Sequence, residues 1–255
     1  MTWKAIGQSV TGTSHIATSK ACEDAVHYRI LTGDDGAETL ICCVADGAGS
    51  ALQAQWASAF ATDKVVELAA QHIAGKEPLT EALIYTIAED IYASLQQQAE
   101  ADGMELNEYS CTLLGCIITP FDAAFFQVGD GAIVRNDGDG FYTTMWWPHN
   151  GEYHNSTSFL VDDPSFSNLN ITILNEQVDE VAIFTDGLQM LTLRMDDHSV
   201  HQPFFNNLFG FLRKASTPEQ LTDLDNKLAA YLDSDVINNR TDDDKTLFLA
   251  TRLTA

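Results

Sequence analysis

Three short apolar runs, each bordered by an acid, constrain this chain more than any other feature. Residues 40–45 (LICCVA), 181–184 (VAIF) and 246–250 (TLFLA) read as buried strands. LICCVA runs into Asp46-Gly47-Ala48-Gly49-Ser50, and VAIF runs through Thr185 into Asp186-Gly187. TLFLA is preceded by Thr241-Asp242-Asp243-Asp244-Lys245. A buried strand fixes its own end, so an acid there sits at the rim of the core. If the strands are neighbours, these acids approach one another. Clustered carboxylates repel, and burying them is costly unless something neutralises them. Hard cations such as magnesium or manganese do so with oxygen ligands. A glycine after Asp46 and after Asp186 lets a backbone carbonyl approach an ion. Asp-Gly is also a common turn dipeptide. Asp137-Gly138-Asp139-Gly140, between two strand-like runs, reads as a plain turn; as an EF-hand loop it fails, because Pro148 stands where the bidentate Glu belongs.

The rest of the chain supplies the frame. Residues 51–71 read as a helix, Ala-rich with Leu52, Trp56 and Phe60 four apart. Residues 79–98 read as a second helix with the stripe Ile84, Ile87, Ile91 and Leu95. Residues 112–119, 123–128 and 132–135 are β-like and separated by short turn segments, which suggests antiparallel hairpins. Residues 141–145, 158–161 and 171–174 continue the pattern. A helix follows at 204–214. Another opens at Thr217-Pro218-Glu219-Gln220, with an N-cap, a first-turn proline and a capping-box Gln, and runs to about residue 232. This order lacks the regular β-α alternation of a Rossmann fold and suits an α+β chain of antiparallel sheets covered by helices. Scattered prolines and the lack of repeats or linkers predict a single domain over 1–255.

Composition excludes some functions. Thirteen Lys and Arg face 37 Asp and Glu, for a formal net charge of −24. A field of that sign repels nucleic acid and anionic membranes, so neither is expected as a partner. The five cysteines form no Cys-x-x-Cys pair, and Cys42 and Cys43 sit inside an apolar run, which argues against a disulfide framework or a zinc site. A reducing compartment, no apolar span and no signal in MTWKAIGQSV together predict a cytoplasmic protein.

Six segments, in order, resemble the metal-dependent protein phosphatases, the protein phosphatase 2C-like family. They are Cys22-Glu23-Asp24-Ala25, VADGAGSA, SCTLLGCII, QVGDGAIV, IFTDGL and TDDDKTLFLA, spread over nearly the whole chain. Asn150-Gly151-Glu152-Tyr153, followed by Asn155 and Thr157, resembles a bacterial-type branch. The resemblance implies a four-layer α-β-β-α sandwich, with two mainly antiparallel sheets packed face to face. It implies a serine/threonine protein phosphatase with two Mn2+ or Mg2+ ions that activate a water. Asp46 would bridge both ions, the Gly47 carbonyl would bind one, and Asp186 and Asp243 the other, Asp243 being chosen over Asp242 and Asp244 by its spacing from Thr246. Glu23 and Asp24 would hold metal-bound waters. The implied partners are a phosphorylated protein substrate and an opposing serine/threonine kinase. Where some members place a His after the first Asp-Gly, this chain has Ala48. Where many place a phosphate-binding Arg, it has Ser19-Lys20 with His15 further back, so Lys20 and His15 are the phosphate-binding candidates. A third metal is in doubt, since Met190 occupies one acid position and the other falls near Asn107-Glu108. Asp130 is read as a structural acid near the site. His198 and His201 read as an exposed pair, while Trp146 and Trp147 are left open between core and substrate groove. The alternative readings are a pseudophosphatase that binds phosphoproteins without turnover, a phosphatase of small molecules, and an acidic calcium-binding protein.

Overall fold

A computed structural model describes residues 2–148 and 157–254. The Asn150-Gly151-Glu152-Tyr153 segment and Asn155 lie outside the described residues. The chain forms β1 (Lys4–Val10), α1 (Thr13–Thr18), β2 (Asp24–Thr32), β3 (Glu38–Asp46), α2 (Ala54–Ala74) and α3 (Glu81–Asp102). There follow β4 (Leu113–Ile118), β5 (Ala123–Val128), β6 (Ala132–Asn136), β7 (Tyr142–Thr144), β8 (Asn170–Leu174) and β9 (Glu180–Phe184). Last come α4 (Gln189–Thr192), β10 (Leu193–Arg194), β11 (Ser199–Val200), α5 (Gln202–Lys214), α6 (Pro218–Leu232), α7 (Asp235–Asn238) and β12 (Lys245–Thr251).

One sheet has the order β1-β12-β9-β6-β7 and the other β2-β3-β4-β5-β8. Every pairing in both is antiparallel. Alternation along the strands builds the layers. Leu40, Cys42 and Val44 of β3 face Ile183 of β9 and Phe248 of β12 in a core between the sheets. Ile41 and Cys43 point the other way, into a core shared with Val65 of α2 and Ile84, Ile87 and Ile91 of α3. Phe184, Leu247 and Leu249 meet Phe205, Phe209 and Leu228 of α5 and α6. Both faces of the central strands are thus covered, which is why LICCVA and TLFLA read as continuous apolar runs. The α+β layering of two packed antiparallel sheets flanked by helices is as expected.

The details depart in four places. Strands β1 and β2 carry mixed sequences (KAIGQSV and DAVHYRILT), half-buried and without a clean period, and the sequence reading passed over them. Residues 158–161 form no strand. Phe159 and Asp162 close a turn, with Asp162 N–H donating to the Phe159 carbonyl at 3.2 Å and the Asp162 carboxylate accepting from Phe159 N–H at 2.7 Å. Of the Leu52/Trp56/Phe60 stripe only Phe60 packs against the core, at its edge, while Leu52 and Trp56 stay exposed. Helix α2 starts after Leu52 and packs on the sheet through Ala54, Ala57, Ala61, Val65 and Ala69, small side chains that permit a close approach. At the start of α6, Thr217 accepts from Gln220 N–H as a cap should, but the Gln220 side chain reaches Ser216 N–H, one residue before the cap. Trp146 packs beside the inter-sheet core and Trp147 beside the core under α5, edge-on to His198. The Asp137 turn is a turn: its carboxylate accepts from Asp139 and Phe141 N–H, linking β6 to β7.

Candidate functional site

Strand register assembles the acids. In the β2–β3 pair Asp24 stands opposite Asp46. In the other sheet β9 and β12 pair with Phe184 opposite Leu247, so the segments that hold Asp186 and Asp243 emerge side by side at one end. Two threonines then join the sheets: Thr185 and Thr246 hydroxyls each donate to the same Asp24 oxygen at 2.8 Å.

Asp244 is buried and ties three segments together. It accepts from Gly12 N–H at 2.6 Å, from Glu23 N–H at 2.6 Å and lies 3.0 Å from His15 Nδ1. The Glu23 carbonyl accepts from Gly47 N–H at 3.1 Å and from the Ser58 hydroxyl at 2.5 Å, which fixes the loop after Asp46 and the start of α2. Side-chain-free positions let these segments close up. A Cβ at Gly47 would lie 2.6 Å from the Ala54 carbonyl oxygen, and one at Gly187 only 2.1 Å from that of Asp244. The glycine after each Asp is therefore demanded by backbone packing as well as by the ion approach read from the sequence. No donor among the described residues reaches the Gly47 carbonyl.

The acids strain one another. Burial, reinforced by the charges of Asp24, Asp186 and Asp243, holds the Asp46 carboxyl well above its ordinary range. Burial, with Asp130 and Asp243, lifts Asp186 to about 6. Burial raises Asp243 too. Asp24, beneath them, is pushed to about 8 by burial and by Asp244 and Asp186, despite its two threonine donors. Buried oxygens of Glu23, Asp24 and Asp186 lack any hydrogen-bond partner among the described residues. Unpaired buried carboxylate oxygens are unfavourable, and a divalent cation is the partner their chemistry fits. Among the described residues no three His, Cys, Asp or Glu side chains converge as a ready-made cage.

The sequence-derived candidates fall as follows. Asp46, Asp186, Asp243 and Asp24 share one electrostatic cluster, with Glu23 bound to its scaffold. Asp130 borders it; its carboxylate accepts from the Thr157 hydroxyl at 2.5 Å and its carbonyl from the Gln189 amide. Lys20 Nζ lies 3.2 Å from Glu23 Oε1 and 3.0 Å from the Gly49 carbonyl. It lines a groove of about 160 Å3 with Glu23, Leu52 and Trp56. His15 has both ring nitrogens turned to acids, Nδ1 to Asp244 and Nε2 to Glu23 at 3.6 Å, an arrangement that positions carboxylates. Met190 is exposed, and Glu108 accepts from Leu52 N–H at 2.8 Å, so neither points to a further metal. Sequence reasoning passed over Thr185, Thr246 and Ser58, and weighed Asp244 only as a register alternative to Asp243. Period-two spacing offered a signal, since Asp244 stands two residues before Thr246 at the entrance to β12.

Comparisons with known proteins bear on the family and the fold. The family pattern described as Protein phosphatase 2C matches residues 11–233. Serine/threonine-protein phosphatase 3 of Escherichia coli is 38% identical over 251 residues, 98% of each chain. The crystal structure of a bacterial serine phosphatase superposes with a TM-score of 0.63 at 19% identity, covering 100% of this chain and 99% of that one. Serine/threonine phosphatase Stp1 from Staphylococcus aureus gives a TM-score of 0.60 at 21% identity, covering 98% and 95%. The acid-bearing strand ends, the two packed sheets and these matches lead to one conclusion: the chain belongs to the protein phosphatase 2C family.

Proposed function

We propose that this chain, as one catalytic domain, is a manganese- or magnesium-dependent phosphatase of phosphoserine and phosphothreonine in proteins. The feature that supports this best is the electrostatic coupling of Asp46 to acids from distant segments, Asp24, Asp186 and Asp243, whose charges add to burial in raising its proton affinity. Such a set is unfavourable on its own and gains from a cation. Asp46, Asp186, Asp243 and the Gly47 carbonyl would hold two ions, water completing their shells, while Glu23 and Asp24 would receive hydrogen bonds from that water. When bound, such ions supply an activated water nucleophile and offset phosphoryl charge.

The chain's own residues do the positioning. Thr185 and Thr246 hold Asp24 against the cluster, and Asp244 locks Glu23 and the His15 helix. Lys20 brings an ammonium beside Glu23, where it can meet the substrate phosphate, with His15 behind it. A cysteine nucleophile is not favoured: Cys42, Cys43, Cys111 and Cys116 are buried thiols with proton affinity raised by burial, and burial together with Asp24 and Asp244 raises that of the half-buried Cys22 as well.

The test is hydrolysis of a phosphothreonine peptide by purified protein with Mn2+, beside Asp46→Asn. Wild type turns over, and the variant loses roughly a thousandfold in rate, matching several kcal/mol of lost transition-state stabilisation. A folded wild type that binds the peptide but releases no phosphate across Mn2+ and Mg2+ concentrations would overturn the proposal in favour of a binding module.

A further inference from the structure

Far from the carboxylates in character, a groove of about 780 Å3 opens where α4, α5, α6 and α7 meet over the outer face of the first sheet. None of the acids of the candidate site lines it. Ile6 and Leu249 supply sheet side chains at its base. Met190, Phe211 and Val236 line it while 72%, 61% and 66% exposed. Several large apolar side chains left in water around one concavity are unusual on a soluble surface and mark an interaction site.

The charge of the lining identifies the partner. The chain holds 37 acids against 13 Lys and Arg. Yet no Asp or Glu lines this groove, while Arg194, Lys227 and Arg240 do. Lys227 is paired with Asp223 at 2.7 Å. Arg194 and Arg240 are exposed and have no carboxylate within ion-pair distance among the described residues. On a body of net charge −24, an apolar groove with free guanidinium groups at its margin is complementary to an acidic amphipathic ligand. The exposed side chains carry the apolar surface beyond the concavity, which suits an extended segment more than an enclosed small molecule. A two-fold contact with a second copy would bring two bodies of net charge −24 together.

We propose that this groove docks an amphipathic helix of a partner protein, apolar on one face and acidic along both flanks. Apolar side chains at i, i+3, i+4 and i+7 fill the groove, and flanking glutamates meet Arg194 and Arg240. The docking is independent of the phosphatase reading and can be tested without metal.

Three labelled peptides of roughly 14 residues, long enough to hold a helix, serve as probes. One has Leu at the four apolar positions and Glu on the flanks. A second has Lys for Glu, and a third keeps the Glu but scrambles the Leu positions. Fluorescence anisotropy with the full chain in EDTA is expected to show saturable binding of the Leu/Glu peptide alone. Binding weakens by about tenfold for an Arg194→Glu, Arg240→Glu double variant, from the reversal of two exposed charge contacts. It is lost in Phe211→Asp. All these residues are exposed, and melting curves check that the variants stay folded. The proposal is overturned if the Leu/Glu peptide fails to saturate at millimolar concentration, or if the Lys peptide binds equally well. A solution mass of twice 27.9 kDa that Phe211→Asp halves would also overturn it, by assigning the groove to a second copy.

Discussion

Replacing Asp24 with Asn should make the metal-free protein more stable at pH 8 while impairing its metal-dependent chemistry. Asp24 is buried, and its carboxyl is lifted from an ordinary 3.8 to about 8. For an acid raised in this way, the contribution to stability is complete below the unfolded value. It is lost as pH climbs, because the unfolded chain releases its proton first, and the loss ends once pH passes the folded value. The window therefore runs from about pH 4 to about pH 8. At about 1.4 kcal/mol per pH unit, the gap sets a ceiling of about 6 kcal/mol. Asp46 and Asp186 share the burden, since a proton on one relieves the others, so an effect of about 2–4 kcal/mol is expected. For a chain of this size that corresponds to about 5–10 °C in Tm. The Asn side chain keeps an acceptor for Thr185 and Thr246, and its amide takes the place of the Asp24 oxygen that lacks a partner. Melts in EDTA between pH 4 and pH 8 should show wild type falling with pH more steeply than the variant, which keeps the raised Asp46 and Asp186, and the two converging near pH 4. A variant that melts below wild type at pH 8, or that parallels its pH dependence, would refute the reasoning. Saturating Mn2+ should reverse the order, since binding at a hundred times Kd adds about 2.7 kcal/mol to the state that holds the ion.

Three further outcomes can be measured. Gly187→Ala forces a Cβ against the Asp244 carbonyl and should lower stability by about 1–3 kcal/mol in urea titrations, while weakening the Mn2+ dependence of activity because Asp243 shifts with it. Lys20→Ala should raise KM for a phosphopeptide by about tenfold or less with kcat nearly unchanged; the side chain is 42% exposed, so its contact with phosphate is partly screened by solvent, and an equal fall in kcat would assign it to the transition state instead. Raising the salt from about 10 to 150 mM should increase kcat/KM for an acidic phosphopeptide by about two- to tenfold, because the net charge of −24 repels it and screening relieves that; a decrease would show that local cations dominate the encounter.

Much of this was legible in the sequence because the decisive acids lie next to strands buried on both faces. LICCVA and TLFLA carry no surface alternation, so their ends and the acids that border them are well marked, while the choice of Asp243 among Asp242, Asp243 and Asp244 rests on the family resemblance. The less legible parts depend on contacts between distant segments. Strand β2 looks like neither strand nor helix because one side of it is only half-covered, and so the pairing of Asp24 with Asp46 could be inferred only through family resemblance. The roles of Thr185 and Thr246 appear only once both sheets are stacked. Leu52, Trp56 and Phe60 have helical spacing, yet it is the alanines of α2 that meet the sheet; apolar spacing shows that a face exists, not which of two faces lies inward. The turn at 158–161 has apolar residues for a separate reason: Leu160 is buried and its N–H donates to the Cys111 carbonyl at 3.0 Å, so burial there comes from a loop pressed on the core.

The acids at this end of the sandwich divide by their hydrogen bonds, and that division separates support from chemistry. Asp244 meets two backbone N–H groups and an imidazole nitrogen, which use up most of its accepting capacity and tie the segment around α1 and the approach to β2 to the entrance of β12. Asp24 belongs with the strained acids: one of its oxygens meets two hydroxyls, but the other is buried without a partner among the described residues. Asp46, Asp186 and Asp243 stand at the open side with raised proton affinity, and a buried Asp186 oxygen has no partner among the described residues. Removing a supporting acid should disorder the junction whether or not metal is present, whereas neutralising one at the open side should relieve repulsion in the metal-free protein. Opposite signs of stability change at neighbouring carboxylates are therefore the expected signature of this division.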